Sequence, residues 1–276
     1  MIDVGNDVGV PSYLFFTCGA AFLGLILSLP SRNDQNGREL EEFDDELVFT
    51  TYVNPLPRRV LPLSMYTKDG SYTTEAVNLG RRFMETKGII VNSDAELESH
   101  AVKCLMNDFD CVPPVYTVGS LIDLKGESNK LVSDETQKGD EIMKWLDDQP
   151  DSSVVLLCFG SMGSFGEEQV KEIAFGMEQC GARFLWFLRK PAPMDKIADP
   201  SDYISDHFQE ILPNGFLERT KQMAMVCGWV PQKAVLAHKS VGGFVSHCGW
   251  NSILWVEFNL GELVVWCSDY CMAFVR

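Results

Sequence analysis

The chain has 276 residues, 46% of them apolar, enough to fill the core of one large domain or of two ordinary ones. Its 39 acidic residues outnumber 23 basic ones, and the net charge of −16 repels nucleic-acid phosphates and anionic lipid, arguing against nucleic acid as a partner. Nine cysteines scattered from Cys18 to Cys271, with no C-x-x-C pair and only four histidines in the chain, read as free thiols in a reducing cytosol; a disulfide framework or a metal site is not expected.

The first element is the apolar stretch from Tyr13 to Pro30, nearly long enough to span a bilayer. The residues before it carry two aspartates and no lysine or arginine, so it lacks the basic start of a signal peptide, and its flanks are poor in basic anchors. The favoured alternative is a buried strand over Tyr13–Phe16, a turn at Thr17-Cys18-Gly19 and a short helix ending at Pro30. Further short apolar runs follow at Gly88–Asn92, Val154–Phe159, Phe184–Leu188 and Val241–Ser246. Runs that are continuously apolar belong to strands covered on both faces, hence to parallel sheets with crossover helices, an α/β pattern.

Between these runs, Glu167–Cys180 is an amphipathic helix: Val170, Ile173, Ala174 and Met177 share one face, and Glu167 and Glu168 sit in the first turn where the helix dipole favours anions. The polar stretch from Gly119 to Asp140 reads as a linker, dividing the chain into domains over 1–122 and 140–276 with a connection over 123–139. A second polar stretch, Pro191–Asp206, reads as a surface loop with mixed local structure.

Two segments carry candidate chemistry. After the strand at Val154 comes Gly160-Ser161-Met162-Gly163-Ser164 and then a helix, an arrangement that offers backbone N–H groups and hydroxyls to an anion such as phosphate. It matches neither the dinucleotide nor the P-loop fingerprint, and a tight strand-to-helix turn needs glycine for structural reasons alone. The second segment runs from Trp229 to Ser252. Trp229 offers a ring for stacking and Gln232 an amide for a base, while His247, Asn251 and Ser252 are donors where a strand ends and a helix starts. Singly, a tryptophan is usually core and a histidine a satisfied polar group. Together, Trp-x-Pro-Gln, then Gly-Gly-Phe, then His-Cys-Gly-Trp-Asn-Ser imply a shared purpose, a cradle for a diphosphate.

The stretch from Trp229 resembles the signature box of the family 1 plant secondary-product UDP-glycosyltransferases, which have the GT-B fold. Segments at Gly88–Val102, Pro113–Gly119, Lys144–Gly163, Gly181–Arg189 and Leu212–Thr220 resemble that family in the same order. The resemblance implies two Rossmann-like domains with parallel sheets, both incomplete, and transfer of glucose from UDP-glucose to a hydroxyl of a flavonoid or related phenol with inversion. It implies that Trp229 stacks on uracil, that Gln232 assists base or ribose recognition, that His247, Asn251 and Ser252 bind the diphosphate, that Trp250 approaches the sugar, that Ser161 lies near the phosphates and that Thr17 touches sugar hydroxyls. No cofactor and no metal are implied; the partners are a UDP-sugar and a small phenolic acceptor, with no nucleic acid and no transmembrane segment, in a cytoplasmic monomer.

The same resemblance implies departures. The family's general-base histidine and its orienting aspartate have no counterpart from Met1 onward, so no catalytic residue is assigned. Trp255 stands where a glutamate holds the ribose, and Cys271 and Met272 stand where an acidic residue and a glutamine hold the sugar. Poor donor affinity and negligible turnover are therefore expected, and a second sheet with an unprotected edge is expected to lower stability. Two other readings compete: a non-catalytic uridine-nucleotide-binding protein or pseudogene product, and a nicotinamide-dependent oxidoreductase. The latter lacks its G-x-G-x-x-G fingerprint after every candidate strand.

Overall fold

The computed structural model describes residues 2–36, 46–61, 71–109, 112–119, 121, 133–161, 163–192, 200–203, 207–228, 232–254 and 272–275. They fall in two compact units, Met1–Leu121 and Ile122–Arg276.

In the first unit, α1 (Ile2–Asp7) precedes β1 (Tyr13–Phe16) and α2 (Ala20–Asn36). A small hairpin of β2 (Glu46–Leu47) and β3 (Leu56–Pro57) follows, then α3 (Ser71–Met84), β4 (Gly88–Val91), α4 (Ser99–Asn107) and β5 (Val115–Thr117). The sheet has the order β1-β4-β5 and is parallel throughout, with Tyr13 beside Gly88 and Ile89 beside Val115. The stretch with the look of a membrane span begins as β1, whose Tyr13 and Phe15 are exposed where a buried strand was expected, and continues from Ala20 as a helix buried on two sides. Leu25, Ile26 and Leu29 pack with Leu47, Phe49, Ala76 and Val77. Ala20, Leu23 and Leu27 pack with Ile89, Val91, Ala101 and Val102. A helix that is apolar nearly all round is accounted for by such double burial, and among the described residues no helix is long and apolar enough to cross a membrane.

The helix does not end at Pro30 but continues to Asn36. Proline cannot donate to the Ile26 carbonyl one turn back. Gly80 of α3 comes against that carbonyl instead: a Cβ on Gly80 would lie 2.5 Å from the Ile26 oxygen and 3.0 Å from the Pro30 ring. Tertiary packing overrides the local stop signal. At its other end, α2 is capped by the chain's own carboxylate, since Glu98 accepts from the amides of Ala20 at 2.7 Å and Ala21 at 3.0 Å and from the Ser93 hydroxyl.

The second unit contains α5 (Ser133–Asp147), β6 (Val154–Cys158), α6 (Glu167–Cys180), β7 (Arg183–Phe187), β8 (Arg189–Lys190), β9 (Ser201–Asp202), α7 (Phe208–Ile211), α8 (Phe216–Thr220), β10 (Ala224–Cys227), α9 (Gln232–Leu236), β11 (Val241–Ser246) and β12 (Met272–Val275). The backbone of α5 begins inside the stretch read as a linker. Its apolar residues Ile142 and Leu146 are buried against Leu156, Leu185, Val235 and Phe244 on one face of the sheet, so the helix is set by its partners across the sheet and not by local composition. The other face is covered by α6, whose Val170 and Ala174 meet Phe184, Trp186 and Phe216. That helix opens at Gly166, whose amide donates to the Gln169 side chain at 3.3 Å, and closes at Gly181 with φ +64°, the left-handed turn that ends many helices.

The five-stranded sheet has the order β10-β7-β6-β11-β12. The first four strands are parallel, and β12 pairs antiparallel with β11, Gly243 opposite Val275 and Ser246 opposite Met272. The described sheet thus ends at β10 on one side and at β12 on the other. In the polar stretch after β7, Ser201–Asp202 returns to pair with Arg189–Lys190.

Candidate functional site

From β6 the chain winds outward through β7 to β10 and then crosses to β11 on the opposite side of β6. Sheet order reverses between β6 and β11, and in open α/β sheets ligands bind in the crevice outside the carboxyl ends of strands at such a reversal. Ser246 is in register with Cys158, so the turns after the two strands leave the sheet side by side. One carries Gly160 and Ser161; the other carries His247 to Ser252.

The two turns meet at the His247 ring. A Cβ on Gly160 would lie 2.6 Å from its Cε1 and 2.8 Å from its Nε2, and a Cβ on Gly249 would lie 2.4 Å from the same Nε2. The imidazole is held against two backbones that only glycine lets come this close. Gly160 also has φ +82°, in the left-handed region that disfavours a side chain. The ring keeps a solvent-exposed edge, yet burial of the rest holds its pKa below the ordinary histidine value, so near pH 7 it is a neutral N–H donor.

Next to it Cys248 adopts φ +55°, and its amide donates to the hydroxyl of the buried Ser246 at 3.2 Å. The Gly249 carbonyl then accepts from the amides of Ser252 at 2.9 Å and Ile253 at 3.0 Å, opening a helical turn over 250–254. Trp250 and Ser252 are half-buried in this turn and Asn251 is exposed. From α9, Gln232 reaches the same turn, its Nε2 donating to Ser252 Oγ at 3.3 Å. On the glycine-rich side, a Cβ on Gly163 would lie 2.0 Å from the Phe159 carbonyl oxygen, and the rings of Phe159 and Phe165 pack edge to face at 4.6 Å. This closes a tight turn ahead of α6, whose first turn holds Glu167 and Glu168. Those carboxylates already occupy the positive end of the α6 dipole.

Gln232 and Ser252 are thus joined by a hydrogen bond, and Ser161, His247, Trp250 and Asn251 follow the carboxyl ends of β6 and β11, two strands that pair in the second unit. Trp229 lies outside the described residues, as do Trp255 and Cys271; of Met272 the backbone is described, in β12. Thr17 follows β1 in the first unit, where its carbonyl accepts from the Asn92 amide group at 3.4 Å. One group escaped the sequence reading. Cys158, taken there as a small apolar side chain, donates its thiol to Gln232 Oε1 at 3.4 Å, and no signal beyond its place at a strand end marks it. Among the described residues no group of three or more His, Cys, Asp or Glu side chains could hold a metal ion.

The family profile described as UDP-glucoronosyl and UDP-glucosyl transferase matches residues 40–257. The chain is 51% identical over 258 residues to UDP-glucose flavonoid 3-O-glucosyltransferase 6 of Fragaria ananassa, covering 92% of the chain and 53% of that protein. It is 50% identical over 257 residues to UDP-glycosyltransferase 71E1 of Stevia rebaudiana, covering 92% and 52%. Among solved structures, a UGT transferase of Siraitia grosvenorii in complex with UDP superposes with TM-score 0.82 at 43% identity, over 92% of this chain and 55% of that one. UGT71G1 of Medicago truncatula, complexed with UDP-glucose, superposes with TM-score 0.75 at 45% identity, over 92% and 52%. The chain spans about half the length of the curated relatives it matches. Its α/β units with parallel sheets have the GT-B fold of these solved transferases.

Proposed function

The chain belongs to the UDP-glucoronosyl and UDP-glucosyl transferase family, and from that premise we propose that its second unit binds the uridine diphosphate of a UDP-sugar at the crevice between β6 and β11. The reaction this site serves is transfer of glucose from UDP-glucose to a hydroxyl of a flavonoid or related phenol, with inversion at the anomeric carbon. The observation that carries the reading is the neutral His247 imidazole packed on Gly160 and Gly249 beside the Gln232–Ser252 hydrogen bond, at the point where sheet order reverses. His247, Asn251, Ser252 and Ser161 face the phosphates in this proposal. Trp229 stacks on uracil with Gln232 beside it, Trp250 approaches the glucose, and Thr17 serves the sugar hydroxyls. The described cysteines are free thiols, which suits a reducing cytosol.

Isothermal titration with UDP tests the reading. The wild-type chain is expected to bind, and Gly160→Ala to bind at least tenfold more weakly, because the new methyl displaces the His247 ring and strains the turn. No heat of binding with wild type, or equal affinity for the variant, removes the site.

Trp255, Cys271 and Met272 favour a second reading in which the pocket holds the nucleotide without gripping the sugar. Each lost hydrogen-bonding partner costs about 1–3 kcal/mol. UDP and UDP-glucose then bind with similar affinity and transfer is negligible; glucosylation of quercetin above a heat-killed control would exclude it.

A further inference from the structure

One buried group at the carboxyl end of β6 is left idle by the family reading. Cys158 is the last residue of β6 and is buried. Its thiol hydrogen goes to Gln232 Oε1 at 3.4 Å. Gln232 Nε2 in turn donates to Ser252 Oγ at 3.3 Å. One sulfur therefore links the end of β6 to the start of α9 and, through Gln232, to the turn after β11.

A glutamine amide has an accepting end and a donating end, and its neighbours decide which way it faces. Here a donor stands on one side. Burial pushes the Cys158 thiol up to about 11, against the opposing pull of the Gly160 amide and the Arg189 charge, so at neutral pH the sulfur keeps its proton. With that proton donated to Gln232, the amide turns Oε1 to the sulfur and Nε2 to Ser252. A serine hydroxyl that accepts from Nε2 has its own hydrogen left to give. With the amide reversed, Oε1 would take that hydrogen, and Ser252 would present lone pairs to an anion and repel it.

We propose that Cys158 is a positioning residue for the diphosphate: by donating to Gln232 it fixes the direction of a donor relay that aims the Ser252 hydroxyl hydrogen at the phosphates of a nucleoside diphosphate. The inference rests on the uridine-diphosphate reading of the crevice, and its test separates the two. In the full chain, Cys158→Ser keeps a donor at nearly the same place and Cys158→Val keeps the bulk without one. The 15N-resolved side-chain amide signals of Gln232 in ligand-free protein are expected to be shifted in Cys158→Val and close to wild type in Cys158→Ser. UDP affinity is expected to fall about fivefold in Cys158→Val, the equivalent of one hydrogen bond, and to stay within about twofold of wild type in Cys158→Ser. In a Gln232→Leu background the valine should add no further loss, because the relay is already cut. Unmoved Gln232 signals, wild-type affinity in Cys158→Val, or a valine effect that persists without Gln232 would each overturn the relay. A wild-type chain with unchanged NMR behaviour that fails to bind UDP overturns the nucleotide reading and with it the functional part of the relay.

Discussion

At the residue scale, His247 shows how packing sets the protonation of a ring. Packing against Gly160 and Gly249 strips water from one side of the ring and favours its neutral form. The pH dependence follows in sign. The folded-state pKa is depressed below the unfolded one, so the stability tied to the neutral ring is complete above the ordinary histidine value of about 6.5 and is lost as pH falls through the lower folded value. Melting temperature should therefore drop between pH 7.5 and 5.5 by more in wild type than in His247→Asn, as thermal melts at the two pH values would show. Equal drops would mean that the ring is no less hydrated in the fold than out of it.

At the element scale, the two units place acidic side chains at their helix starts in different ways. In the first unit, the start of α2 is filled by the chain itself, with Glu98 accepting from Ala20 and Ala21. The same carboxylate lies near Tyr52, whose phenol is pushed up to about 12 by burial and then by the Glu98 charge. In the second unit Glu167 and Glu168 sit in the first turn of α6, and Ser161 and an edge of His247 are exposed beyond the ends of β6 and β11. Glu98 is thus a structural anion standing where a ligand could otherwise bind. Glu98→Ala should destabilise the chain by about 2–3 kcal/mol, since hydrogen bonds to a charged group are worth about 1.5–3 kcal/mol each and do not simply add. Urea denaturation would measure it, with Glu98→Gln expected to recover part of the loss because one carbonyl acceptor remains. The reach of α2 past Pro30 is a second element-scale outcome, and it depends on Gly80 lacking a side chain.

At the scale of the whole molecule, a net charge of −16 sets the long-range field against any phosphate ligand. Ser161, Gln232, His247, Asn251 and Ser252 bring neutral donors near pH 7, so attraction comes only at contact distance. Raising ionic strength from about 0.1 M to about 1 M shortens the screening length from ~10 Å to ~3 Å and removes repulsion more than attraction. UDP affinity should hold or tighten up to a few-fold over that range in titration calorimetry. A tenfold loss would mean that lysine or arginine side chains carry the phosphates.

Much of this architecture is legible in the amino-acid order because the signals are local. Continuous apolar runs mark β1, β4, β6, β7 and β11, the spacing of Val170 and Ala174 marks α6 with its ends at Glu167 and Cys180, and the Trp229–Ser252 box marks the family. The remainder needed partners far away along the chain. Whether a helix passes Pro30 depends on what Gly80 leaves room for, whether the polar stretch before Asp140 coils or winds depends on the sheet face waiting for Ile142 and Leu146, and whether β11 has a neighbour depends on Met272–Val275. Cys158 is the sharpest case: within its own strand it is one more small apolar residue, and only the parallel register that sets β6 beside β11, together with the return of α9, gives its thiol a glutamine to orient. Propensity and periodicity are properties of neighbours in sequence, whereas a hydrogen-bond donor acquires its role from whatever the fold brings within about 3.5 Å of it.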